Sequence, residues 1–208
     1  MQNGKVLEPS DDMVMEEVMG CCASNSKSNV LQPQVIGKMP QMTTEQTLEV
    51  LDAAKQAWNG GSGTWPQMPL SERVASIDRF LIELKKQREN IVNILMWEIG
   101  KNYEDAATEF DRTLQFAEEV IDFVKEDEEF LPASWQNIGS TRAFVRRAAI
   151  GILLCLGPYN YPLNETYATL IPALLMGNIV LLKIPTVGGL SHLLTSECTF
   201  DCFYFHKP

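Results

Sequence analysis

Asn160 stands in the run Gly157-Pro158-Tyr159-Asn160-Tyr161-Pro162-Leu163-Asn164-Glu165-Thr166, and Lys183 follows downstream in Lys183-Ile184-Pro185-Thr186. Pro158 fixes its own φ and lacks an N–H, while Pro162 biases Tyr161 toward extended backbone, so the two can hold Asn160 in one orientation. A side-chain amide fixed in this way is a donor suited to a developing oxyanion. The same amide could instead satisfy the turn's own backbone, as Asn often does, and spacing alone favours that plainer role. Lys183 is a lone cation after Ile179-Val180-Leu181-Leu182. It can bind a ribose hydroxyl or a phosphate, or be only a solvated strand end. The stretch around Gly157 is no G-x-G-x-x-G fingerprint, so an ordinary dinucleotide turn does not explain it.

These residues need elements to hold them. Ile150–Gly157 is a continuous apolar run, the mark of a strand buried on both faces. Thr166–Met176 reads as a helix and Ile179–Lys183 as a second buried strand, which together make a βαβ unit. In open α/β sheets ligands gather at the carboxyl ends of strands, where residues 157–161 and 183–186 would lie. Upstream the period is helical. Leu48, Leu51, Ala54 and Trp58 define a first helix, which Asn59-Gly60-Gly61-Ser62-Gly63 ends. From Pro69, Val74, Ile77, Leu81 and Leu84 share a face with Ile91, Leu95 and Ile99, giving one long helix or two joined near residues 87–90. A further helix runs from Tyr103 to Lys125 on Phe110, Leu114, Ala117, Ile121 and Val124. Arg112 is the only basic residue between Lys101 and Lys125. Its plain account is a surface ion pair with Glu109 or Asp111, worth under about 1 kcal/mol. Thr141–Arg147 alternates as an exposed strand would. Residues 1–40 read as a flexible lead-in containing a short edge strand at Val35–Gly37.

Composition removes several function classes. The 208 residues carry a net charge of −10, against the clustered positive field that nucleic acid or an anionic membrane requires. A local cationic site for a phosphate stays allowed. The longest apolar runs, Ala148–Gly157 and Ala168–Leu182, fall short of the ~18 to 20 residues that span a bilayer. Residues 1–20 carry acids where an export signal needs a basic start, so a cytoplasmic setting is expected. The five cysteines form no disulfide framework, and Cys198-x3-Cys202 with His206 lacks a fourth ligand, so no metal is expected.

With Gly157-Pro158-Tyr159-Asn160-Tyr161-Pro162 and Lys183-x-Pro185 the chain resembles the aldehyde dehydrogenase superfamily. Tyr159 to Thr166 and Lys183-Ile184-Pro185-Thr186 are most similar to its NADP-dependent, non-phosphorylating glyceraldehyde-3-phosphate dehydrogenases. The likeness runs in register from about Val35 to Thr195 and takes in Glu98-Ile99-Gly100-Lys101 and Arg112-Thr113. It implies an α/β fold: the N-terminal part of a Rossmann-like cofactor-binding domain, helix-rich, with an incomplete parallel sheet. Residues 41–140 would be its helical part, 141–149 an oligomerisation-type strand serving a homo-oligomer, and 150–195 the first βαβ. Residues 196–208 depart from the family.

The resemblance also implies chemistry: an aldehyde, here glyceraldehyde 3-phosphate, oxidised through a cysteine thiohemiacetal, with hydride transfer to the nicotinamide and hydrolysis of a thioester. Asn160 would donate to the oxyanion, with Tyr161 beside the substrate. Leu156 and Gly157 would line the nicotinamide side, and Lys183 would bind the adenosine ribose. Thr186 stands where NAD-preferring relatives often carry an acid, which favours NADP over NAD. Arg112 would hold the substrate phosphate. The family's nucleophilic cysteine and glutamate base have no counterpart in this sequence, and Cys155, within a buried strand, reads as packing. The expectation is a truncated fragment, inactive alone, whose two parallel strands leave apolar faces uncovered. The alternative is an inactive product that pairs with full-length subunits.

Overall fold

The computed structural model describes residues 13–24, 31–126, 134–145 and 147–203. Helix α1, Thr44–Trp58, opens on a capping box: Gln46 N–H donates to the Thr43 hydroxyl at 3.3 Å, and Thr43 N–H donates to Gln46 Oε1 at 2.8 Å. Asn59 ends it in the left-handed region at φ 44°. A short α2, Thr64–Gln67, precedes α3, Leu70–Lys86, and α4, Arg88–Ile99. The choice left open near residues 87–90 resolves as two helices. Gly100 closes α4 at φ 73°, a conformation that costs glycine nothing. The long α5, Tyr103–Glu126, starts where Asn102 Oδ1 accepts Asp105 N–H at 2.8 Å.

The apolar stripes of α3, α4 and α5 meet in one core. Ile77, Phe80, Leu84, Ile91, Leu95 and Phe110 are essentially without exposure, each stabilising the fold by about 1.5–3 kcal/mol on full burial. Helix α6, Pro162–Leu175, adds Leu163, Ile171 and Leu175 to the same cluster.

Strands β3, Ser134–Ile138, and β4, Thr141–Val145, form an antiparallel hairpin around Gly139. The strand expected at Thr141–Arg147 is therefore present as β4, with a partner that the sequence had placed in the helical part. Strands β5, Ile152–Leu156, and β6, Ile179–Lys183, pair in parallel, with α6 as the crossover. This is the expected βαβ unit. Burial on both faces is not found: Cys155 is buried, but Leu154 and Leu156 are 63% and 59% exposed. A sheet of two strands has no neighbours to cover them. Asn178 ties the unit together, accepting Ile150 and Gly151 N–H at 2.8 and 3.1 Å and donating to Ala173 O at 3.0 Å.

The flexible lead-in expected over residues 1–40 needs correction within the described residues. Strands β1, Val14–Ser24, and β2, Leu31–Gln41, form an antiparallel hairpin with Val14 opposite Gln41. It docks through Val18 and Met39 against Leu190. Among its described side chains the buried apolar ones are Val18 and Met39, too sparse for an alternation to show in the sequence. Helix α7, Ser191–Phe203, likewise runs through the start of the segment read as departing from the family, and buries Cys198 in the main core. No helix among the described residues is long and apolar enough to cross a membrane.

Candidate active site

Two buried carboxylates from the helical layer hold the loops at the carboxyl ends of β5 and β6. The first is Glu109 of α5, 2% exposed. Its Oε1 accepts Leu163 N–H at 3.0 Å and Asn164 N–H at 3.2 Å, and its Oε2 pairs with Lys101 Nζ. Helix α6 begins on Pro162, which has no N–H to satisfy, and Tyr161 provides no side-chain cap. A remote anion therefore does the capping, with the sign the helix dipole favours. At the other end Arg73 Nε donates to Leu175 O at 2.8 Å and Trp65 Nε1 to Leu174 O at 3.1 Å, again with the favourable sign.

The second carboxylate is Glu98 of α4, 5% exposed. It accepts Gly188 N–H at 2.7 Å, Gly189 N–H at 2.9 Å and Leu190 N–H at 3.1 Å. Burial pushes its carboxyl pKa up, and the three N–H groups oppose that shift. The two loops also touch each other. Gly157 N–H donates to Lys183 O at 3.3 Å. A Cβ on Gly157 would overlap the Thr166 hydroxyl and come within 3.0 Å of Pro185 Cδ, and one on Gly188 would come within 2.7 Å of the Pro162 ring.

Asn160 is exposed, and its side chain makes no hydrogen bond among the described residues, so it is not spent on satisfying the turn. Tyr161 is 45% exposed, with Lys101 Nζ 3.8 Å from its ring centroid. Arg112 is exposed, one turn beyond Glu109 on α5. The ion pair expected for it is not formed: Arg88 takes Asp111 at 2.8 and 2.7 Å and holds that carboxyl below its usual range, and Lys101 takes Glu109. Arg112 and Tyr161 instead line one small cavity of about 50 Å³ with Asp105, Thr108, Glu109 and Asn164.

The other expected residues lie at the strand ends. Leu156 faces Lys183 across the β5–β6 register, both exposed, with Gly157 next in chain. Thr186 lines a separate cavity of about 180 Å³ with Val187, Glu98, Met39 and the β1 residues Glu16 and Glu17. Sequence reasoning found no such acidic wall beside Thr186.

It also missed the roles of Glu98 and Lys101, which counted only as shared motif, and of Glu109, which counted only as a candidate ion-pair partner of Arg112. The available signal was a carboxylate on an apolar stripe: Glu98 follows Ile91 and Leu95 at helical spacing, and Glu109 lies between Ala106 and Thr113. His192 is a further omission. It is 3% exposed, its Nε2–H donates to Pro162 O at 3.1 Å, and burial lowers its pKa to about 4. Cys155 and Cys198 are both buried.

Residues 22–202 match the aldehyde dehydrogenase family. The chain belongs to that family. The matched region extends beyond the Val35–Thr195 register on both sides, into β1 and through most of α7. The NADP-dependent glyceraldehyde-3-phosphate dehydrogenase of Streptococcus equinus is 35% identical over 169 residues, 78% of this chain and 34% of that protein. The enzyme of the same name from Pisum sativum is 29% identical over 166 residues, 77% and 33% of the two chains. Among solved structures, the NADP-dependent glyceraldehyde-3-phosphate dehydrogenase from Bacillus halodurans C-125 complexed with NADP matches at a TM-score of 0.77 and 26% identity, over 98% of this chain and 40% of that one. An aldehyde dehydrogenase from Physcomitrella patens in complex with succinate matches at 0.79 and 23% identity, over 98% and 40%. The chain thus spans about a third of the length of the curated relatives it matches, and its fold is the N-terminal part of the aldehyde dehydrogenase cofactor-binding domain.

Proposed function

We propose that this chain contributes the oxyanion donor, the phosphate-holding arginine and part of the cofactor site to an NADP-dependent oxidation of glyceraldehyde 3-phosphate. The observation that carries the reading is Arg112, exposed in the Tyr161 cavity and without a carboxylate partner among the described residues. A guanidinium left unpaired beside a tyrosine is suited to a phosphate monoester. Asn160, with its amide unspent, donates to the carbonyl oxygen as negative charge develops there. Tyr161 flanks the aldehyde between the two.

Leu156, Gly157, Lys183 and Thr186 fit a dinucleotide laid across the strand ends. Lys183 is an exposed cation forming no ion pair among the described residues, and Leu156 offers an apolar surface. NADP, when bound, supplies the hydride acceptor. Relatives that are NADP-dependent by name support NADP over NAD, and Thr186 adds no further carboxylate to the Glu16 and Glu17 charge lining its cavity. Neither Cys155 nor Cys198 is assigned as nucleophile, since both are packed inside, and the isolated chain is expected to show no turnover.

Titrating the 15N-labelled chain with glyceraldehyde 3-phosphate tests the reading. Resonances of Arg112 and Tyr161 should move, and Arg112→Ala should abolish the movement without changing the urea midpoint. Shifts that avoid Arg112 altogether would overturn it. The second reading, a non-catalytic chain that pairs with full-length subunits, is favoured by the exposed Trp135, Ile138 and Phe144 of the β3–β4 hairpin. It requires co-purification with a full-length relative, lost on Phe144→Asp.

A further inference from the structure

We propose that Lys101 and Glu109 are a positioning pair that sets the Asn160–Tyr161 turn against Arg112. What the turn then does rests on the function proposed above, but the pair's action on the turn is separable from it.

The Glu109 side chain is wholly buried and Lys101 is largely so, at 0% and 14% exposure. Burying two charges is costly, and such pairs are weak stabilisers; their best-attested use is to fix one arrangement among several. Here that arrangement joins three pieces of chain. Glu109 belongs to α5, Leu163 and Asn164 to the first turn of α6, and Lys101 to the link between α4 and α5. Thr113, one turn further along α5, accepts Asn164 Nδ2–H at 3.4 Å, so α5 grips the first turn of α6 twice.

The catalytic turn is the next segment back from this grip. Tyr161 immediately precedes Pro162, and its ring lies against Lys101 Nζ, 3.8 Å from the centroid. One ammonium thus touches both the carboxylate that caps α6 and the aromatic face of the turn. Arg112 rides on the same helix as Glu109 and lines the same cavity as Tyr161. The pair therefore fixes the distance between the phosphate-holding side chain and the oxyanion donor. Both Glu109 oxygens are engaged, Oε1 by Leu163 and Asn164 N–H and Oε2 by Lys101, and Glu109 acts on the turn through these three.

The test uses the 208-residue chain and a signature that a merely stabilising residue would not move. In the unsubstituted chain the Lys101 Hε protons should be shifted upfield by the Tyr161 ring current, and Tyr161→Leu assigns that shift. Glu109→Gln should remove the shift and raise amide exchange at Leu163 and Asn164 about tenfold relative to Ile171 in mid-helix. Lys101→Met should raise the same two exchange rates, and Lys101→Arg should restore them. Should Glu109→Gln fail to fold, Lys101→Met and Lys101→Arg still read the pair. An unchanged Lys101 shift in Glu109→Gln, or Lys101→Met leaving both amides as protected as before, overturns the proposal. Failure of glyceraldehyde 3-phosphate to shift Arg112 in the unsubstituted chain sinks the proposed function alone and leaves these readouts intact.

Discussion

Replacing His192 should flatten the acid limb of the stability curve. The imidazole is 3% exposed, its ring lies parallel to Tyr167 at 6.0 Å between centroids, and Tyr167 in turn stacks on Phe80 at 5.7 Å. Nε2–H donates to Pro162 O, while Nδ1 has no partner among the described residues. Such a site suits a neutral ring and penalises a charged one, which is why burial lowers the pKa from 6.5 to about 4. Between those two values the unfolded chain carries a proton on His192 and the folded chain does not. Stability is therefore complete above the unfolded value and falls as pH drops from 6.5 toward 4. At 1.36 kcal/mol per unit the loss is about 3 kcal/mol, a large share of the ~5–15 kcal/mol that domains have. Glu98 acts in the opposite sense, because its raised pKa favours the folded state in acid and loses that contribution as pH rises. A difference between two proteins that both keep Glu98 cancels its effect. The assay is the urea midpoint of the unsubstituted chain and of His192→Gln from pH 7 to 4.5. The substituted chain is expected to start lower and to lose about 2–3 kcal/mol less across the range. Parallel curves would refute the reasoning, as would a His192 Cε1–H resonance titrating near pH 6.5.

Gly157→Ala should destabilise by about 1–3 kcal/mol through overlap with the Thr166 hydroxyl, and Thr166→Ala in the same chain should recover part of that loss; equal stability of all three proteins in urea would contradict the packing. Glu98→Ala strips the acceptor from the Gly188, Gly189 and Leu190 N–H groups and should cost about 2–4 kcal/mol, with exchange at those amides rising first; full protection of the three amides would show that another acceptor replaces it. Thr186→Glu should weaken NADP binding relative to NAD by about tenfold or more, since a carboxylate there adds to the Glu16 and Glu17 charge already beside it; an unchanged ratio in fluorescence titrations would place the 2′-phosphate elsewhere.

The helices and the βαβ unit were legible because their signals are local. Val74, Ile77, Leu81 and Leu84 repeat at a helical period whatever they pack against, and Ile150–Gly157 announces a strand by composition alone. The β1–β2 hairpin was not, since the apolar residues of its two strands do not alternate and the strands pair across residues 25–30. The exposure of Leu154 likewise depends on how many strands stand beside β5, which no residue of β5 encodes. At the site, Asn160 and Lys183 could be singled out because an amide between two prolines and a lone lysine at a strand end carry chemistry in their types, whereas Tyr161 and Thr186 were named through the family resemblance. Glu98 and Glu109 were not, although each sits on an apolar stripe, because what such a carboxylate holds depends on long-range N–H partners that spacing does not give. That Arg112 would lack a carboxylate partner among the described residues was hidden for the same reason: Arg88 reaches Asp111 across 23 positions and Lys101 reaches Glu109 from outside the helix.

Both ends of α6 are held by side chains from the helical layer, Glu109 at the start and Arg73 with Trp65 at the finish. The loop after β6 hangs on Glu98 of the same layer. The sheet contributes the Gly157 to Lys183 hydrogen bond between the two loops, and two short strands suffice for that. The placement of the Asn160 turn is thus a property of α4 and α5 more than of the sheet from which it emerges. A substitution on the exposed face of β5, such as Leu154→Thr, should therefore leave Lys101 against Tyr161, whereas one at Glu109 should release it while β5 and β6 stay paired.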